Sequence, residues 1–244
     1  MRAQITLRTI ESKRLIARGV AAHPSVKKAM KDSTIIIAGG TTNGLVAEEL
    51  AGIKLDKITS YTVGIITGGV TTLVPAKERI SPYVITKGKA EADPDWANYI
   101  GETKPGDIFI KGANALDHTG LVAILASNRT GGTIGRAWGT LVQRGIEIIV
   151  PVGLEKLVPD VREAVEFMSG KATDVAIGDR VGLMPVMGAT VITEITALKL
   201  LYDVDAKCIA AGGVEDSEGA VTLVMDGDEE DVKRALAEIT EIKR

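Results

Sequence analysis

Short, nearly unbroken apolar runs recur along the chain, each closing on glycine or threonine. The clearest is STIIIAGG, residues 33–40. A run this short and this uniformly apolar predicts a strand buried on both faces. TTNGLVAEELAG follows at once, with helical spacing at Leu45, Val46, Glu49 and Leu50. Strand, glycine turn and helix form the first half of a βαβ unit. The pattern returns in SYTVGIITGGVTT (60–72), in SPYVITKG (81–88), in DIFIKGANALD (107–117) and in IEIIVPVG (146–153). SNRTGGTIGRAWGTLVQRG (127–145) reads as a glycine-rich turn and then a helix, and EADPDWANYIGETKPGD (91–107) as a loop with a short helical piece.

The two ends of the chain read differently. ITLRT predicts a short strand, IESKRLIARGVA a helix, and PSVKKAMKD a second helix that Pro24 can begin. After a helix in PDVREAVEFMSG (159–170) and a strand or loop in VGLMPVMG (181–188), the tail predicts helix (190–202), strand (204–213), strand (218–227) and helix (228–243). The expected fold is therefore α/β: a mostly parallel, Rossmann-like sheet with helices on both faces, plus a small C-terminal α+β block of ferredoxin-like type. The expected division is an α/β ligand-binding domain over 1–184 and the small block over 185–244.

Composition narrows the function classes. Of the 244 residues 45% are hydrophobic and 25% charged, and the net charge is -3, so a folded globular protein is expected. Basic blocks with interleaved aromatics are absent, which argues against nucleic acid as a partner. No stretch reads as a signal-peptide core or as an apolar run long enough for a membrane span, so no membrane partner and a cytoplasmic location are expected. The single cysteine, Cys208, excludes an internal disulfide and is expected to be a buried small side chain. Two distant histidines, His23 and His118, offer no metal site, and none is expected.

The candidate chemistry lies in three glycine- and threonine-rich loops. In parallel α/β sheets ligands bind beyond the carboxyl ends of the strands. The first loop is Gly39, Gly40, Thr41, Thr42, Asn43 and Gly44, between strand and helix. Free amides at a helix start, the helix dipole and uncharged hydroxyl donors suit a phosphate or carboxylate. The alternative is a tight turn with Thr41 or Thr42 as an ordinary cap. The second loop contains Gly68 and Gly69, and the third contains Gly132 and Thr133 with Arg136 close by. An arginine can hold a phosphate through two bonds, or simply face solvent beside a turn. The lysine of a nucleotide P-loop and the spacing of a dinucleotide fingerprint are both missing, so no cofactor is expected. Lys111, Asp117 and Lys156 follow strands, where acids, bases and counter-ions of a cleft would stand.

These motifs and their order resemble the superfamily of ribose-5-phosphate isomerase, glucosamine-6-phosphate deaminase, CoA transferases and the sensor domains of DeoR-type sugar regulators. IIIAGGTTNGLVAEEL is similar to the strand, Gly-Thr-Thr, helix pattern of the DeoR-type sensors. The stretch from Gly106 to Pro159 is also similar to the methylthioribose-1-phosphate isomerase and initiation-factor 2B group. The resemblance spans about residues 33 to 158. It implies that Thr41 and Thr42 contact phosphate, that Gly132 and Thr133 start a second ligand helix, and that Lys156 reaches the cleft. The chain departs from the pattern at Asn114, which stands where the isomerase motif has its catalytic acid. An amide cannot take a proton from a sugar carbon. The glutamates expected of ribose-5-phosphate isomerase and of a CoA-transferase nucleophile are also missing. No helix-turn-helix is read ahead of the domain, so a complete DeoR-type repressor is not expected.

Three readings follow. One is an aldose–ketose isomerase-like enzyme acting on a sugar phosphate, with Lys111 or Lys156 stabilising charge and Asp117 moving the proton. Another is a non-catalytic metabolite-binding or sensor protein with the same pocket, Asn114 included. A third is a structural oligomer component. A small anionic metabolite and a second copy of the chain, in a homo-oligomer, are the expected partners.

Overall fold

The computed structural model describes residues 1–93 and 95–243; Pro94 and Arg244, which the sequence reading included in a loop and at the chain end, lie outside the described residues. Strands β1 (Arg2–Leu7), β2 (Thr34–Ile37), β3 (Gly64–Thr67), β4 (Val70–Leu73), β5 (Tyr83–Thr86), β6 (Lys89–Ala92) and β7 (Ile108–Ile110) form the first half. They are followed by β8 (Ala115–Leu116), β9 (Val122–Ala126), β10 (Glu147–Pro151), β11 (Gly182–Val186), β12 (Thr190–Ile192), β13 (Asp205–Ala211) and β14 (Val221–Asp226). The helices are α1 (Thr9–Ala22), α2 (Pro24–Asp32), α3 (Thr41–Ala51), α4 (Trp96–Glu102), α5 (Gly132–Arg144), α6 (Val161–Met168), α7 (Glu194–Tyr202) and α8 (Glu229–Ile242).

The fold is mixed α/β. Its largest sheet has six strands in the order β12-β10-β7-β2-β5-β6. β2, β7, β10 and β12 run parallel, while β5 is antiparallel to β2 and β6 antiparallel to β5. Three of the apolar runs, though not that at 60–72, whose β3 is mostly exposed, behave as their patterns require: Ile35–Ile37, Ile108–Ile110 and Ile148–Pro151 are wholly buried. Such strands need cover on both faces, which is why they show no alternation. β6 shows the opposite limit. Its four residues, KAEA, are all exposed, so an edge strand with no buried face carried no apolar signal.

Strand order reverses at β2. The hairpin β5–β6 lies on one side of it, and β7, β10 and β12 succeed one another on the other. Such a reversal opens a crevice at the carboxyl ends of the strands. The loops after β2, β7 and β10 all leave from that edge.

Three further sheets accompany it among the described residues, the smallest being the two-stranded antiparallel hairpin β3–β4. β8, β9 and β11 form another, joined antiparallel. β1, β14 and β13 form the third, so the first strand of the chain pairs along its whole length with the last. α1 packs on α3 and α7, and α7 on α8. The division drawn at 184/185 is thus crossed in both directions: β1 joins the C-terminal strands, and β12 is the edge of the main sheet. One contiguous apolar core runs from Leu7 and Leu15 through Ile36, Phe109 and Ile149 to Leu223 and Ile239. Cys208, expected inside, is half-buried on β13, because this strand is the free edge of its sheet. No described helix is long and apolar enough to cross a membrane.

Candidate functional site

β2 ends at Ile37 and hands over to Gly39-Gly40, where α3 starts. Gly40 occupies the N-cap position and no side chain caps the helix. The first amides of α3 are therefore left without intrahelical partners. Thr41 and Thr42 lie inside the helix rather than capping it. Thr42 is only 2% exposed and its Oγ1 has no hydrogen-bond partner. Asn43 anchors the loop: its Nδ2 donates to the carbonyls of Ala38 at 2.7 Å and Ile110 at 3.3 Å, which ties the ends of β2 and β7 together. Its Oδ1 is buried and unpartnered. Tyr61 holds the loop from behind, since Gly40 N donates to Tyr61 O at 2.7 Å and the Tyr61 hydroxyl donates to Ile37 O.

The second helix start is α5. Gly131 and Gly132 have φ of 76° and 64°, a conformation that side-chain-bearing residues rarely adopt. A Cβ on Gly131 would also stand 3.0 Å from the Gly135 Cα. Again no side chain caps the helix. Asn128 shapes the approach by accepting from Thr130 N and Oγ1.

Both helix starts line one cleft of about 430 Å³. Three lysines line it as well: Lys111 after β7, Lys156 in the single 3-10 turn after β10, and Lys13 from α1. Lys111 Nζ donates to the carbonyls of Gly39 and Gly112 at 3.3 and 3.4 Å, and Lys156 Nζ to Ala113 O at 2.9 Å. Among the described residues none of the three forms an ion pair. Burial together with the nearby Lys156 charge pulls the Lys111 amine down to about 8. Lys156 and Lys13 are also lowered, burial being the main cause; Glu155 works against it at both. The only carboxylate lining the cleft, among the described residues, is Asp179.

The sequence-derived candidates divide clearly. Gly39, Gly40, Thr41, Thr42, Asn43, Lys111, Asn114, Gly132, Thr133 and Lys156 come together on this cleft. Gly44 does not: it faces away into the α3 packing, where a Cβ would stand 2.5 Å from Ile58 Cδ1. Arg136 is exposed on α5 and off the cleft. Gly68 and Gly69 do not start a helix. They are the two-residue turn of the β3–β4 hairpin, with φ of 57° and 77°, and nothing stands within 4 Å of either. Positive φ at both central positions is what such a turn demands. The strands of that hairpin, not its tip, border the cleft.

Asp117 is the most consequential correction. It lies on a separate pocket with Asp160 and Arg162. Its carboxylate accepts from Thr119 N at 2.8 Å, Thr119 Oγ1 at 2.6 Å, Leu121 N at 3.2 Å and Val161 N at 3.0 Å. These bonds outweigh its burial and hold it at about 2, well below the usual carboxylate range. Asp117 closes a turn and holds the start of α6. It is neither placed nor poised to accept a proton from a ligand in the main cleft.

Asp117→Asn is therefore expected to lower stability by ~2 kcal/mol near neutral pH, through loss of strong acceptors for buried amides. A depressed carboxyl contributes stability that is complete above the unfolded value of about 4 and fades as pH falls towards the folded value. Urea unfolding should show that acid loss flattened in the variant, while anion binding in the cleft is unchanged.

Lys13 was missed. It follows the buried Ser12 on α1, in a stretch that locally reads as one face of an ordinary amphipathic helix, and only the packing of α1 near the end of β10 brings it to the cleft. No sequence signal marked it. Comparison with family models, curated proteins and solved structures found no match.

Proposed function

We propose that this cleft binds a small phosphorylated metabolite, a sugar phosphate being the class that fits, and that it does so as a binding site in which Asp117 has no part as an isomerase base. The observation that carries the reading is the convergence of three unpaired lysines with two uncapped helix starts. A cation taken from water without a counter-ion is costly, so an arrangement of three calls for an anionic occupant. Amides at the starts of α3 and α5 add donors and favourable dipole ends. Thr42 Oγ1, buried and unpartnered beside the α3 start, is an independent sign that a polar group belongs there.

The cleft has the size of a small-ligand pocket. Its apolar wall includes Ile65, Ile124 and Ile134, and among the described residues no aromatic ring lines the cleft on which a nucleobase would stack. Isomerisation through Asp117 loses its support, since that carboxylate is committed elsewhere. Resemblance to the sugar-phosphate superfamily now rests on the order of motifs and on the shared use of a helix start after the first parallel strand.

The test is thermal unfolding with inorganic phosphate, ribose 5-phosphate and glucose 6-phosphate against the unphosphorylated sugars. A ligand at about a hundred times its Kd stabilises by ~2.7 kcal/mol, which a melting curve resolves. Phosphorylated compounds should raise the Tm and the free sugars should not. Equal curves for all would remove the reading.

A further inference from the structure

Lys111 is the most unusual titratable group of the cleft. Its side chain is half-buried, and its Nζ makes only two long contacts to carbonyl oxygens. The charged groups acting around it are known element by element. Lys156, in the turn after β10, acts on it directly. Lys13 of α1 acts on Lys156, as do the carboxylates Glu155 and Glu194. From α3 it meets only the neutral Gly39–Asn43 loop and the amides of the helix start. Among the described residues no carboxylate acts to keep Lys111 protonated, Asp179 on the same cleft included. With its amine at about 8, ~10% is neutral at pH 7, against well under ~0.1% for an ordinary lysine. Desolvation and a second cation nearby are how amines are prepared as nucleophiles.

We propose that Lys111 is a reactive amine that condenses reversibly with the aldehyde or ketone group of an anionic metabolite seated in the cleft. This rests on the anion-binding reading above and adds a carbonyl to the ligand's description. The Nζ lone pair adds to the carbonyl carbon, the π pair of the C=O bond moves to oxygen, and a proton passes from nitrogen to that oxygen. The carbinolamine then takes up a proton on its hydroxyl and expels it as water. The nitrogen lone pair closes the C=N bond, and loss of the last N–H proton leaves the neutral imine. One water is released for each imine formed, and nothing is oxidised or reduced. Lys156 is the nearby cation that favours the oxygen as it gains negative charge.

The experiment is trapping with glycolaldehyde phosphate and sodium cyanoborohydride at about pH 7.5, followed by peptide mapping, with unphosphorylated glycolaldehyde as control. Lys111 should be labelled roughly ten-fold or more faster than the exposed lysines, because it presents far more free amine. Inorganic phosphate should slow that labelling, and the control aldehyde, lacking the anion that seats it, should label Lys111 more slowly than the phosphorylated one does. Lys111→Arg, which keeps the positive charge but offers no comparable nucleophile, should abolish the fast labelling of this peptide. If phosphate stabilises the protein and Lys111 is labelled no faster than surface lysines, the proposal falls and the anion-binding reading stands. If phosphate neither stabilises nor protects, both fall. Fast labelling of Lys111 that phosphate leaves unchanged also overturns the proposal, since the carbonyl would then be arriving without the anion site.

Discussion

Replacing Lys111 by methionine should make the ligand-free protein more stable by ~2 kcal/mol at pH 7 while weakening phosphate binding at least roughly ten-fold. The two effects have one cause. The folded state holds this amine at about 8, whereas the unfolded chain returns it to its ordinary 10.5. A depressed lysine marks a charge that the fold disfavours. Between those values the unfolded chain binds the extra proton, so the stability of the unaltered protein rises as pH climbs from about 8 to about 10.5. Below about 8 the whole penalty is present. Full burial would make that penalty ~3 kcal/mol, and the solvent that the half-buried side chain still meets reduces it to ~2. Methionine fills similar space without charge, so urea unfolding at pH 7 should show the gain, and the alkaline rise should be lost. Calorimetric titration with phosphate should show the loss of a charge-assisted hydrogen bond, ~1.5–3 kcal/mol. A variant less stable at pH 7, with the alkaline rise intact, would mean that Lys111 is an ordinary solvated cation.

Glu194→Gln should have a comparable effect with the opposite pH signature. Glu194 begins α7, is fully buried, and accepts from Leu154 N at 3.0 and 3.2 Å. Burial raises its carboxyl to about 7, opposed by hydrogen bonds that include Ser12. A raised acid binds its proton more tightly folded than unfolded. Its influence therefore makes stability fall as pH rises from the unfolded value near 4.5 to about 7, and the full penalty persists above that. Glutamine can keep the bond from Leu154 without ionising. The variant should match the unaltered protein near pH 4 and exceed it by ~3 kcal/mol at pH 8. Chemical unfolding across this range measures both ends. Parallel curves for the two proteins would show that Glu194 titrates normally. Because Glu194 also acts on Lys156, the variant should bind phosphate slightly better below saturation, having removed a competing negative charge from the lysine.

Much of the site was legible because its logic is local. IIIAGG, IFIK and IIVPVG are read as buried strands from their unbroken apolar character, and they are three of the four parallel strands of the main sheet; the fourth, β12, lies in a stretch read as helix. A glycine pair followed by a helical pattern identified the starts of α3 and α5, and lysines just beyond two strand ends identified Lys111 and Lys156. The GGVTT segment misled because its letters match GGTT. What separates them is the sequel: after Gly69 the chain has strand residues and then Pro75, not helical spacing, so both glycines serve a hairpin turn. Asp117 misled for a different reason. A carboxylate after a strand is free or committed depending on which amides surround it, and one of its partners, Val161, lies 44 residues onward. VAILA, which forms β9, has the same unbroken apolar character and was passed over in the sequence.

By itself the sequence determined the α/β class, three of the four parallel strands and the two glycine-rich helix starts, because apolar periodicity and backbone conformation depend on near neighbours. Only the tertiary structure decided that β1 closes a sheet with β14, that Lys13 joins Lys111 and Lys156, and that Asp117 is spent on a turn. Those outcomes depend on contacts between distant segments and on how much water each charge keeps. Neither quantity is written in the residues beside it.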